Sequence, residues 1–277
     1  MHLLRFLYRR IRGWSTVARA AKLVEILLFG GRFREKILLW FIRQHYASVF
    51  RRQWIWSSEP PHFFDHRKNG VDFLLGLGRA GVCPLFRGFY ATEILREGDR
   101  ILDIGCGDGF FDRRFFATRC AHVDAIDMEP TAIRTALAHN GAPNITYMVL
   151  DAVSQSYPSD SYDVIVCDGV LAHLSPAGAS AVLEKARRAL GLKGVFVGSE
   201  SLGFEGADHL QHFESEDDLR ALFGLHFERV QLRSFTYRIG ASGEDIRREV
   251  YWRCSGGLER LLESTWTEAS DGQPQAG

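Results

Sequence analysis

The stretch "ILDIGCGDGFF", residues 101–111, places Gly105, Gly107 and Gly109 at alternate positions directly behind a run of branched apolar side chains. The apolar run reads as a strand covered on both faces. The glycines end it where a helix begins, a junction that presents free backbone N–H groups and a positive helix end to a ligand. Open α/β sheets bind ligands at this edge. A dinucleotide fingerprint requires glycine at the sixth position of the motif, but Phe110 stands there and the pattern is G-x-G-x-G. Taken alone, the glycines also fit a purely structural tight turn.

Outward from this stretch the chain alternates between two periodicities. Strands are expected at 100–104, 122–127, 145–150, 162–167 and 195–199, with helices at 110–118, 130–140 and 176–190 between them. That alternation predicts a parallel sheet in a doubly wound α/β domain. A further helix fits 216–225. Two strands, 227–239 and 246–254, then follow, joined by the turn "GASGED". With no helix between them they should pair antiparallel at one edge of the sheet.

Asp103 lies in the first strand, Asp127 ends the second, Asp151 follows the third and Asp168 follows the fourth. Each singly reads as a solvated loop acid. Together they converge on one edge of the sheet, the edge of the glycines. Asp127, in particular, stands where a carboxylate accepts both hydroxyls of a ribose.

The first 53 residues carry twelve Arg or Lys against two acids, so the zero net charge of the 277-residue chain hides a basic amino terminus and an acidic remainder. Along residues 3–21, Leu3, Phe6, Leu7, Ile11, Trp14, Val17, Ala18 and Ala21 share one helical face, and Arg5, Arg9, Arg12 and Arg19 the other. The segment "REKILLWFIRQHYASVFRRQWIW" repeats the theme after Gly30 and Gly31. Two readings stay open: peripheral contact with an anionic membrane surface, or a helical hairpin that buries its stripe on protein. Nucleic acid ranks below both, because the remainder is acidic and carries no reading motif. The apolar stretches are too interrupted by arginine for a signal peptide or a spanning helix. Five scattered cysteines without a C-x-x-C pair argue for a reducing, cytoplasmic setting and against a zinc site.

In order, "ILDIGCGDG", "VDAIDMEPTAIRTALAHN", "ITYMVLDA", "YDVIVCDGVLAHL" and "RRALGLKGVFVGSE" resemble the motifs of class I S-adenosylmethionine-dependent methyltransferases, over about residues 97–254. The resemblance implies a Rossmann-like, doubly wound seven-stranded sheet with an antiparallel last strand. It also implies S-adenosyl-L-methionine as cofactor. Asp103 would orient the loop and reach the methionine amino group; Gly105, Cys106, Gly107 and Gly109 would line the methionine portion. Asp127 would hold the ribose, Met128 pack on the adenine, and Asp151 take the adenine amino group beside the backbone of Ala152. Asp168 would border the transferred methyl.

His173 is the nearest candidate base for a methylation that must remove a proton; helix capping or packing is the alternative. The family often has Glu-His here, whereas this chain has Ala172-His173. The segments 62–67 and 206–213 are expected to face the acceptor. His209 and His212 have a spacing compatible with a metal but no third ligand, so none is expected.

The organisation expected is a basic amphipathic helical extension over 1–56, linker and lid helices over 57–96, a methyltransferase core over 97–256 and a tail over 257–277. The acceptor expected is a small molecule or a lipid or glycan-lipid at the membrane surface. The alternative function is a non-catalytic nucleoside-binding scaffold that recruits partners through its amino-terminal helices.

Overall fold

The computed structural model describes residues 82–203, 209–239 and 245–256, together with Lys22, Lys36, Ile37, Trp40, Phe41 and Gln44. The chain divides into two units, Met1–Ser57 and Ser58–Gly277. Most of the basic amphipathic segments, the linker with residues 62–67, residues 206–208, most of the "GASGED" turn and the tail lie outside the described residues.

Within the second unit the elements run α1 (Val82–Thr92), β1 (Arg100–Ile104), a π-helical turn (Asp112–Phe116), β2 (His122–Asp127), α2 (Pro130–His139), β3 (Ile145–Val149), β4 (Tyr162–Asp168), a 3-10 turn (Leu171–His173), α3 (Pro176–Ala189), β5 (Leu190–Leu202), α4 (Glu216–Gly224), β6 (Arg229–Ile239) and β7 (Asp245–Ser255). The strands form one sheet in the order β3-β2-β1-β4-β5-β7-β6. The first five are parallel, and β7 runs antiparallel between β5 and β6.

Both faces are covered, which is why β1 and β4 are near-continuous apolar runs. On one face α1, the π-turn and α2 pack Tyr90, Phe116 and Ile133 against Ile101, Val123, Val164 and Val197. On the other, α3 and α4 bring Val182, Leu183 and Phe223 onto Leu102, Ile104, Ile165 and Phe196. Helix starts follow local chemistry. Ser175 accepts from the Gly178 N–H with Pro176 at the first helical position, and Ser215 and Asp218 form a reciprocal capping box.

Two elements depart from the expected spans. Strand β5 is longer than 195–199. It runs past its last pair with β4, Asp168↔Ser199, and Glu200, Ser201 and Leu202 pair with Val250, Glu249 and Arg248 of β7. An antiparallel neighbour therefore satisfies backbone that the polar side chains suggested was loop. The helix after the glycines is wound as a π-turn over its middle, with Ala117 N–H donating to Asp112 O at 2.8 Å. The wider turn keeps both Asp112 and Phe116 buried.

Candidate active site

The glycine loop is built for close approach. Gly105 and Gly109 have φ of 76° and 72°, values that side chains with a Cβ rarely adopt. A Cβ on Gly105 would stand 2.4 Å from Val170 Cγ2, and one on Gly109 2.3 Å from the Tyr147 hydroxyl oxygen. The loop is pinned to β2: Gly105 and Cys106 N–H both donate to Ile126 O, at 2.8 and 3.0 Å, and Gly109 N–H donates to Cys106 O.

Asp127, 8% exposed, accepts from Gly107 N–H at 3.0 Å and from Glu129 N–H at 2.8 Å. It thus ties the second glycine to the end of β2 and stands at the edge where a ribose would lie. Next to it Met128 is 69% exposed, a large apolar side chain left open as a flat ring would require. Asp151 and Ala152 are half-buried just beyond β3. The Asp151 carboxylate accepts from Ser154 Oγ at 2.5 Å and Val153 N–H at 2.8 Å, and these bonds, the Ser154 hydroxyl first, hold its pKa down.

Asp103 lies beneath the loop and shares a hydrogen bond with Asp112. Burial and then the neighbouring Asp112 hold the Asp103 pKa well above the carboxylate range, and burial pushes Asp112 up to about 7. With both groups ionised Asp112 finds no donor among the described residues; a proton held between the two supplies one. Phe110, whose N–H donates to Asp108 Oδ1, starts the helix that delivers Asp112.

A second acidic group forms where β4 and β5 end and the antiparallel β7 begins. Asp168 Oδ1 accepts from Ser199 Oγ at 3.1 Å, and burial, opposed by Arg87, raises its pKa to about 6. Arg87 comes from α1. Its Nε donates to Glu249 Oε1 at 2.7 Å and its Nη2 to the same oxygen, while its Nη1 lies over Gly169. Burial works against its charge, and Glu249 and Asp168 more than offset that. Tyr251 O–H donates to Glu249 Oε2. Two residues on, Arg253 donates to Glu93 and to Tyr90 O and lies over the Tyr90 ring at 4.3 Å. Alternate residues of β7 thus meet successive turns of α1, fixing Arg87 at the sheet edge.

His173 is exposed at the end of the 3-10 turn, its ring edge-on to His209 at 4.6 Å, with His212 6.0 Å beyond. The backbone of 210–211 closes over this turn by donating to Ala172 O. Among the described residues no group of three His, Cys, Asp or Glu could hold a metal ion. Sequence reasoning missed Arg87, Asp112, Glu200 and Glu249. The alternation of "EVYWRC" does signal one polar face on β7, but the partner of Glu249 lies 162 residues away.

The cradle fits a nucleoside bearing an amino-acid tail: an open apolar platform, a carboxylate at the end of β2, a backbone too close for side chains, and acids beneath. Residues 101–194 match the family model described as a methyltransferase domain. The chain is 30% identical over 142 residues to the mitochondrial ubiquinone biosynthesis O-methyltransferase of Schizosaccharomyces pombe, covering 48% of this chain and 52% of that protein. It is 31% identical over 154 residues to the carboxy-S-adenosyl-L-methionine synthase of Dichelobacter nodosus, covering 50% and 65%. The chain thus spans half to two thirds of these curated relatives. In fold it is similar to Haemonchus contortus phosphoethanolamine N-methyltransferase 2, solved with phosphomonomethylethanolamine and S-adenosylhomocysteine. The TM-score there is 0.54 at 13% identity, over 77% of this chain and 58% of that one.

Proposed function

Because the core of this chain is a class I methyltransferase domain of the S-adenosylmethionine-dependent type, we propose that the protein methylates a small-molecule or lipid-linked acceptor at the cytoplasmic face of a membrane. The observation that carries the transferase reading is the cradle of Gly105, Gly107 and Gly109 tied to Asp127 beside an exposed Met128. S-adenosylmethionine supplies a sulfonium methyl that an acceptor atom attacks in line. The residues here bind and orient: Asp127 and Met128 the nucleoside, the glycine backbone and Asp103 the amino-acid tail, and Asp168 the reacting end. Alignment and exclusion of water are the main contributions such a site makes.

Two of the relatives are named for small-molecule chemistry, ubiquinone biosynthesis and carboxy-S-adenosyl-L-methionine synthesis, which supports an acceptor of that size. For the membrane, the support is the basic amino terminus and the exposure of Ile37, Trp40 and Phe41 on a helical segment of the first unit. An amphipathic helix with aromatic residues opposite arginine binds anionic surfaces through both terms. No helix among the described residues is long and apolar enough to cross a membrane.

Comparing metabolites of gene-deleted and wild-type cells tests the transferase reading. The expected result is loss of a compound one methylene heavier than an accumulating precursor, and unchanged metabolite and lipid profiles would refute it. Co-sedimentation with phosphatidylserine-containing vesicles tests the membrane reading. Trp40→Glu with Phe41→Glu should lower the bound fraction several-fold, and equal binding would refute it.

A further inference from the structure

We propose that Glu200 is the base that takes the acceptor's proton, an inference that rests on the methyltransferase reading above. Glu200 follows Ser199, whose hydroxyl is bonded to Asp168, and it lies on the part of β5 that projects beyond β4. Its carboxylate is aimed by two backbone donors. Ala172 N–H donates to Oε2 at 3.1 Å and Ser201 N–H to Oε1 at 3.1 Å. Each oxygen keeps a lone pair for a further hydrogen bond. The side chain is 2% exposed, and among the described residues no side-chain cation is bonded to it.

A buried carboxylate offset by two backbone donors but by no bonded counter-charge is a costly structural choice, since its desolvation is only partly compensated. A base has reason to be so placed. The groups that face it are Arg87 from α1, Glu249 from β7 and Cys167 from β4. Arg87 is committed to Glu249, so it moderates the charge at Glu200 without neutralising it. Burial, opposed by the Ala172 N–H and by Arg87, raises the Glu200 pKa to about 7, where a base is both ionised and basic enough to act. His173, the candidate base read from the sequence with capping or packing as the alternative, is exposed, its ring edge-on to that of His209.

The step balances without a further reactant. The acceptor heteroatom's lone pair forms the bond to the methyl carbon, and the carbon–sulfur pair departs with sulfur as a neutral thioether. The proton of the acceptor's O–H or N–H bond passes to Glu200.

The test compares wild type, Glu200→Gln and Glu200→Asp. In protein free of donor, difference infrared spectroscopy should show protonated-carboxyl absorption that titrates near neutral pH, to which Asp112 also contributes, and Glu200→Gln should lose one component of it; absorption unchanged in that variant overturns the proposal. Methyl transfer from labelled S-adenosylmethionine is then measured with an extract of gene-deleted cells as acceptor source. Glu200→Gln should bind S-adenosylhomocysteine within about twofold of wild type yet lose about 10²-fold or more in kcat, the scale of general-base catalysis. Its residual rate should keep rising with pH where the wild-type rate levels off, and Glu200→Asp should recover part of the loss. A loss under threefold, or one matched by weaker S-adenosylhomocysteine binding, overturns it. If wild type binds neither S-adenosylmethionine nor its demethylated product, the methyltransferase reading fails and this proposal with it.

Discussion

The two ends of the same sheet treat buried acids in opposite ways. At the amino ends of the strands, Asp124 is 3% exposed and fully matched. Arg100 donates to it through Nε at 3.1 Å and Nη2 at 2.6 Å, the Tyr162 hydroxyl at 3.0 Å, and His122 Nε2 lies 3.1 Å away. At the carboxyl ends, Asp103 and Asp112 face each other, and Glu200 has only backbone donors among the described residues. A charge matched on every side contributes to stability. Charges left short of partners keep raised pKa values, the signature of a site that awaits a ligand or a proton. The sheet is thus braced at one end and reactive at the other.

The largest test of that contrast is Asp127→Ala. It removes the carboxylate at the reactive end, and affinity for S-adenosylmethionine measured by calorimetry should fall about 100-fold or more, since bonds to a charged group contribute about 1.5–3 kcal/mol each. Unchanged affinity would break the comparison. Next is Asp124→Ala at the braced end. It strands the buried Tyr162 hydroxyl and frees Arg100, and should cost about 2–3 kcal/mol in denaturant unfolding. Affinity for S-adenosylmethionine should stay within twofold, and a large loss would show that the two ends are coupled.

The smallest effect concerns pH. The Asp112 pKa of about 7 lies above that of an unfolded aspartate, about 3.9. Between those values the folded chain holds a proton that the unfolded chain has lost. The Asp112 contribution therefore makes stability fall as pH rises from about 4 towards 7. Asp112→Asn needs no such proton, so its stability should fall less steeply across that window, by up to about 1.4 kcal/mol per pH unit. Melting curves from pH 5 to 8 that run parallel to wild type would contradict the shared proton.

What the sequence made legible was local. Gly105, Gly107 and Gly109 behind a strand, an acid near each of four strand ends, and the alternation of strand and helix periodicities are short-range patterns, and they suffice for the parallel sheet and its ligand edge. The antiparallel ending could be read from two strands lacking a helix between them. Glu200 and Ser201 hid the true length of β5, because polar residues read as loop until β7 is in place to pair them. Arg87 and Glu249 stayed hidden because their meaning lies in a contact across most of the chain. Asp112 was hidden by the π-turn, which turns inward a side chain that the pattern "FFDRRFF" leaves unassigned.

The projection of β5 beyond β4 has a bearing on redesign. Past Asp168↔Ser199 the wall of the site is formed by β5 and β7, themselves backed by β6, in fixed register, Glu200↔Val250, Ser201↔Glu249 and Leu202↔Arg248. Lengthening either strand by one residue would swap inward and outward faces for everything beyond it. Retargeting this enzyme to a new acceptor is therefore a matter of substitution at set positions rather than loop grafting. Position 249 would have to change together with position 87, because the guanidinium across the gap is already committed to it.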